Sequence, residues 1–142
     1  MSVLKYEVGD ESYYIQNPTE VQIVNQILAL DNNVYYGCKF AIVDYEWIQA
    51  VGGYEDRVMV EFVSSRTKPY YLRDSDVLHS SGIIPITIVS QTSEQPIWIT
   101  VYKKTAIQAF TYYNRTGKLD QTLHWYGRNT SELEGDADVF GR

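Results

Sequence analysis

The sequence predicts an α+β domain, with two helices packed beside a mostly antiparallel β-sheet, from three observations. The middle of the chain is rich in β-branched and aromatic residues that alternate with polar ones, as in RVMVEFVS at 57–64. A helical pattern with its own start signal precedes this region, and a second one with a glycine stop follows it. The length of 142 residues suits one domain, large enough to bury a core without disulfides or metal. That domain is expected over 1–128, with 129–142 as an acidic flexible tail.

In chain order, residues 3–16 read as a β segment that turns at Gly9-Asp10. Asn17-Pro18-Thr19-Glu20 then opens a helix. Asn17 is the expected cap, Pro18 suits the first helical position, and Glu20 faces the positive end of the helix dipole. Val21, Val24 and Leu28 form one apolar row with Ile23, Ile27 and Leu30 beside it, and Asp31-Asn32-Asn33 ends the helix.

Lys39 to Trp47 and Arg57 to Ser64 read as strands, joined by a loop or short excursion at 52–56. On the second, Val58, Val60 and Phe62 share one face, and Arg57, Met59, Glu61 and Val63 the other. Residues 69–72 read as a short edge strand and 74–82 as loop. Ile83 to Val89 is apolar, but Pro85 confines its first half to an edge or bulge. Residues 91–95 read as a turn and 96–101 as another strand.

Ala106, Ala109, Phe110 and Tyr113 recur at helical spacing, and Gly117 is the natural left-handed residue after such a helix. Arg115 suits the end of this helix, whereas Lys103 and Lys104 at its start oppose the dipole. Leu119, Leu123 and Trp125 lead into a last short strand.

Composition narrows the function. The formal charge is −6 and the isoelectric point about 4.8. An acidic surface repels phosphate backbones, so direct nucleic-acid binding is not expected, and a basic protein partner is. The 13 tyrosines combine contact area with a polar tip. They serve either a recognition surface or a β-rich core, and the sequence leaves both open. No run approaches transmembrane length and the N-terminus lacks a signal-like apolar segment, so a cytoplasmic protein with no membrane contact is expected. A single cysteine, Cys38, forms no internal disulfide and supplies no zinc site by itself.

Motifs for chemistry are missing. His79 and His124 belong to no metal-ligand pattern, there is no GxSxG elbow, and the zinc-deaminase signature is absent. No cofactor, metal or catalytic residue is expected. What remains is acids interleaved with aromatics. Asp44, Glu46, Trp47, Tyr54, Glu55 and Asp56 make one expected cluster, and Tyr70, Asp74 and Asp76 another. Aromatic anchors ringed by carboxylates suit a surface that grips a basic protein. The opposing reading turns the aromatics inward and the acids outward. The pair Asp44/Glu46 could also flank a sugar bond, in a pocket walled by Trp47, Tyr70 or Tyr71. A carbohydrate or small-ligand module, a carboxylate-based enzyme, and a structural or secretion-associated protein are therefore the rival readings.

The C-terminal segment AIQAFTYYNRTGKLDQTLHWY resembles the signature of the Imm1 immunity proteins of bacterial polymorphic toxin systems. The resemblance rests on Ala106, Ala109-Phe110, Tyr113, Thr116-Gly117 and Leu123-x-Trp125, and covers about 97–126. The segment departs from the family where Tyr102-Lys103-Lys104 opens the helix, and where Leu119-Asp120 replaces a proline in the link. The resemblance implies a non-enzymatic cytoplasmic inhibitor that binds a cognate toxin domain and occludes its active site. The toxin is often a nucleic-acid-directed enzyme, commonly deaminase-like. Carboxylates and aromatic rings would then stand in for phosphates and bases.

Overall fold

The computed structural model describes residues 1–88 and 91–127; the expected tail at 129–142 lies outside them. The fold is α+β. Strands β1 (Val3–Val8) and β2 (Glu11–Gln16) precede helix α1 (Glu20–Ala29). Then come β3 (Tyr35–Val43), β4 (Glu46–Tyr54), β5 (Arg57–Ser64), β6 (Tyr70–Leu72), β7 (Ile83–Ile88) and β8 (Gln91–Pro96). A 3-10 turn at Ile97–Ile99 leads to β9 (Val101–Tyr102), helix α2 (Lys103–Thr116) and β10 (Trp125–Gly127). The main sheet runs β10-β6-β5-β4-β3-β1-β2, with β9 paired to β5, while β7 and β8 form a separate pair. Every pairing is antiparallel.

The period-two pattern separates the two faces by single-residue steps. Leu4, Phe40, Ile48, Phe62 and Tyr70 stand directly opposite one another across five strands. This row faces the helices. It packs with Ile23 and Ile27 of α1 and with Ala106, Ala109, Phe110 and Tyr113 of α2. The Tyr113 ring meets Phe40 and Phe62 edge-on, at centroid distances of 6.0 and 5.8 Å. One residue along, Tyr14, Lys5, Lys39, Gln49, Glu61, Tyr71 and Tyr126 form a second row, on the opposite face. A smaller cluster of Met59, Trp98, Ile99 and Tyr126 packs separately from the main core.

Several local expectations change. The cap of α1 is Thr19, whose hydroxyl accepts from the Gln22 backbone while the Gln22 side chain accepts from the Thr19 backbone. Asn17 instead takes a left-handed φ of 50° and accepts a hydrogen bond from the Ser2 backbone. The core-facing row is Ile23, Ile27 and Leu30, whereas Val21 and Leu28 are 67% and 53% exposed. Residues 39–47 are not one strand: β3 ends at Val43, and Asp44-Tyr45 turns the chain into β4. Gly52 and Gly53 belong to β4, and the reversal is made by Glu55 and Asp56 with φ of 51° and 65°. Two consecutive positive φ values suit a tight hairpin between right-twisted strands.

Segment 70–72 is no edge strand, since β6 lies between β5 and β10. Residues 91–96 form a strand rather than a turn, because their backbone pairs along the whole of β7. The apolar 97–101 run becomes mostly a 3-10 turn that buries Trp98 and Ile99. The β7–β8 pair is tied to the loop after α1 by Asn32. Its side-chain amide donates to the Pro85 carbonyl (3.3 Å) and accepts from the Thr87 backbone (2.8 Å).

Helix α2 begins without a side-chain cap. Lys103 in its first turn points away from its own helix, and its Nζ donates to the carbonyls of Leu28 (2.9 Å) and Leu30 (2.6 Å). The lysine that opposes one helix dipole therefore satisfies the carbonyl end of the other. Gly117 closes α2 with φ of 72°, as its sequence position predicts.

Candidate functional site

Strand β4 divides the expected site. It has nine residues, so its ends stand about 27 Å apart at 3.4 Å per residue. Asp44 and Glu46 lie at one end, Tyr54, Glu55 and Asp56 at the other.

At the second end the topology unites residues that are distant in sequence. Tyr54 is opposite Arg57, and Arg57 is opposite Tyr102 of β9. The Arg57 side chain is buried at the centre of this group. It donates to Asp74 (2.9 Å), to the Thr100 carbonyl (3.1 Å) and hydroxyl (3.2 Å), and stacks 4.3 Å from the Tyr102 ring. Asp74 in turn accepts from the Asp76 backbone, and the Asp56 carbonyl accepts from the Lys103 backbone. Asp74 is thus an internal counter-ion that holds the 74–77 loop, while Tyr54, Glu55, Asp56, Asp76 and Tyr102 remain exposed.

The same end of the sheet carries the β1–β2 turn, with Asp10 and Glu11, and the link after α1, with Asp31. The exposed carboxylates of Asp10, Glu11, Asp31, Glu55, Asp56 and Asp76 therefore gather along one rim, with Tyr35, Tyr54 and Tyr102 exposed among them. Asp10, Glu11, Asp31 and Tyr102 were not singled out by the sequence. They lie in three separate segments, and only strand register aligns them.

The remaining expected residues do not join this rim. Asp44 is exposed in the β3–β4 turn, beside Tyr45, whose ring lies 3.9 Å from the Arg66 guanidinium. Glu46 accepts from the Tyr113 hydroxyl at 2.7 Å. Burial, and then that carboxylate, push the Tyr113 phenol well above its ordinary range. Glu46 and Tyr70 share a shallow hollow with Leu119 and Asp120. Trp47 lies on the other face, where its indole N–H donates to Gln49 (3.1 Å). Asp44 and Glu46 therefore do not form a working carboxylate pair. The sheet also separates Glu46 and Tyr70 from Trp47 and Tyr71, so of the three expected walls Tyr70 alone shares a hollow with Glu46, and Asp44 does not line it.

The open face holds a groove of about 530 Å³, lined by Lys5, Glu7, Lys39, Gln49, Glu61 and Tyr71 among others. Among the described residues no group of His, Cys, Asp or Glu side chains could hold a metal ion. No helix among them is long and apolar enough to cross a membrane. The His79 ring lies 4.4 Å from that of Trp98, tilted by 40°.

Cys38 is buried, and burial pushes its thiol up to about 12, opposed in part by a backbone hydrogen bond from Ala50. A protonated, enclosed thiol is inert. Native protein at about pH 8 is expected to resist thiol-specific reagents, with labelling only on unfolding; fast stoichiometric labelling of folded protein would contradict this placement.

Protein-family models give no match to this chain, and neither do curated proteins.

Proposed function

We propose that this chain is a non-enzymatic, cytoplasmic immunity protein that binds a basic surface of a toxin domain with the acidic rim of its sheet. The observation that carries the reading is the gathering of Glu55, Asp56, Asp76, Asp10, Glu11 and Asp31 at one end, with exposed Tyr54 and Tyr102 as anchors. Carboxylates of one sign on adjacent turns attract and orient a basic partner, while aromatic rings supply short-range contact. The net charge of −6 acts in the same sense at long range. The resemblance of residues 97–126 to immunity proteins supplies the toxin as partner class. A nucleic-acid-directed toxin fits because its substrate groove must be basic. Asp44, Glu46, Trp47 and Tyr70 fall outside the proposed surface.

The test is binding and inhibition of the toxin encoded beside this gene. Association is expected to weaken steeply with salt, and Glu55→Lys with Asp76→Lys to weaken it at least ~100-fold, since each reversal replaces attraction by repulsion. Asp44→Lys, at the far end of β4, is expected to leave affinity nearly unchanged. Failure of the wild-type protein to bind or inhibit would end the reading. Equal effects of all three reversals would show that net charge alone matters and would discard the rim.

A further inference from the structure

The groove on the open face contains two opposite charges that do not meet. Lys5 and Lys39 are directly opposed on β1 and β3, an arrangement of like charges that costs stability. Lys5 has Glu7 at 3.4 Å. Lys39 has instead the face of Trp47, 4.3 Å from its ammonium. Burial, and then the Lys5 charge, hold Lys39 below the usual lysine range, with Glu7 acting in the opposite sense. Glu61 stands on β5, and among the described residues its carboxylate accepts from the Gln49 amide alone, at 2.6 Å. Among the described residues, neither Lys39 nor Glu61 has an ion-pair partner.

Gln49 keeps them apart. Its oxygen is held by the Trp47 indole N–H and its nitrogen by Glu61, so the amide is fixed from both sides between the two charges. Lys39 and Glu61 stand on strands two spacings apart, about 9.6 Å. Val51 and Met59 supply apolar surface beside them. Gly37 contributes no side chain to the floor, where a Cβ would come within 3.3 Å of Val51.

We propose that this groove binds a small zwitterion, an amino acid or short peptide, with its carboxylate against Lys39 and its ammonium against Glu61. A bound carboxylate compensates the half-buried Lys39 and its repulsion by Lys5. A bound ammonium gives Glu61 the cation it lacks. The spacing of the two strands favours a dipeptide over a single α-amino acid, and a volume of about 530 Å³ accommodates it. The inference stands apart from toxin binding, because Lys39 and Glu61 belong to the open face and not to the acidic rim, which the groove meets at Asp10.

The probe is glycylglycine, with acetate and ethylammonium as its separate halves. The readout is the Trp47 indole N–H resonance, assigned by its loss in Trp47→Phe. Glycylglycine is expected to give a saturable shift at millimolar concentration. Lys39→Met and Glu61→Gln are each expected to weaken it about tenfold or more, and so is either half-ligand compared with the whole. Both substitutions are neutral replacements on an open face, and thermal unfolding of each variant verifies that it folds; if one does not, the other and the half-ligands decide. Absence of a saturable shift overturns the proposal, as does a shift unchanged in the folded variants. Equal affinity for acetate alone would also overturn it, since the ammonium would then contribute nothing.

Discussion

Trp125→Ala is expected to destabilise the fold by about 3–5 kcal/mol, the range for truncating a large buried aromatic residue. Trp125 is completely buried, opposite Leu72 on the neighbouring strand. Its indole N–H donates to the Asp120 carbonyl at 3.0 Å. Asp120 in turn organises the link after α2. Its carboxylate accepts from the Thr122 backbone (2.9 Å), the Thr122 hydroxyl (2.7 Å) and the Gln108 amide (3.1 Å). Removing the indole leaves a cavity and takes one hydrogen bond from the Asp120 carbonyl, which also accepts from the Leu123 backbone at 3.1 Å. Urea denaturation followed by far-ultraviolet circular dichroism measures the loss. A midpoint within error of the wild type would refute the packing role of Trp125.

Gly53→Ala is expected to cost about 3 kcal/mol or more, from backbone strain and overpacking together. Gly53 has φ of 118°, a conformation that side chains disfavour, and a Cβ there would collide with the Leu30 carbonyl, its carbon lying 2.5 Å away and the Asp31 nitrogen 2.8 Å away. These are backbone atoms, so no rotamer change relieves the clash. The same Leu30 carbonyl accepts from Lys103, and displacing it would disturb the end of α1 and the start of α2 together. Gly9→Ala is the control. Gly9 also has positive φ, at 63°, but nothing lies within 4 Å of the added Cβ, so only about 1–2 kcal/mol of local strain is expected. Similar losses at both positions would show that close approach to Leu30 is not what requires glycine at 53.

Gly53 also shows where a one-dimensional reading stops. A Gly-Gly pair before Tyr-Glu-Asp has the composition of a loop or short excursion. Its glycines serve instead a strand that passes against a helix end and, at Gly52, against Ile86 of β7. The turn falls on Glu55 and Asp56 and not on the glycines before them, because the register of β4 on β5 brings Tyr54 opposite Arg57 and leaves two residues between them. The polar run 91–96 is a strand for a similar reason: its partner β7 supplies the pairing that its own residues do not favour.

The candidate surface divides along the same line. Asp44 and Glu46 are two apart in sequence, yet the turn at Asp44-Tyr45 puts one in solvent and the other under Tyr113. Asp74 looks like any surface acid until Arg57 is found buried against it. Glu55 and Asp76 appear unrelated until Arg57, between β4, β9 and the 74–77 loop, brings them to one end of the sheet.

The sequence by itself determined the α+β class, both helices, the Gly117 stop, the two faces of β5 and the place of Trp125 in the last strand. Each of these is written in local periodicity or in a residue with a strong backbone preference. Only the tertiary structure decided which acids share a surface, which one is a buried counter-ion, and that Lys39 and Glu61 face one groove without pairing. Those outcomes depend on strand order and register, which set distances between residues far apart in the chain and leave no periodic trace within it.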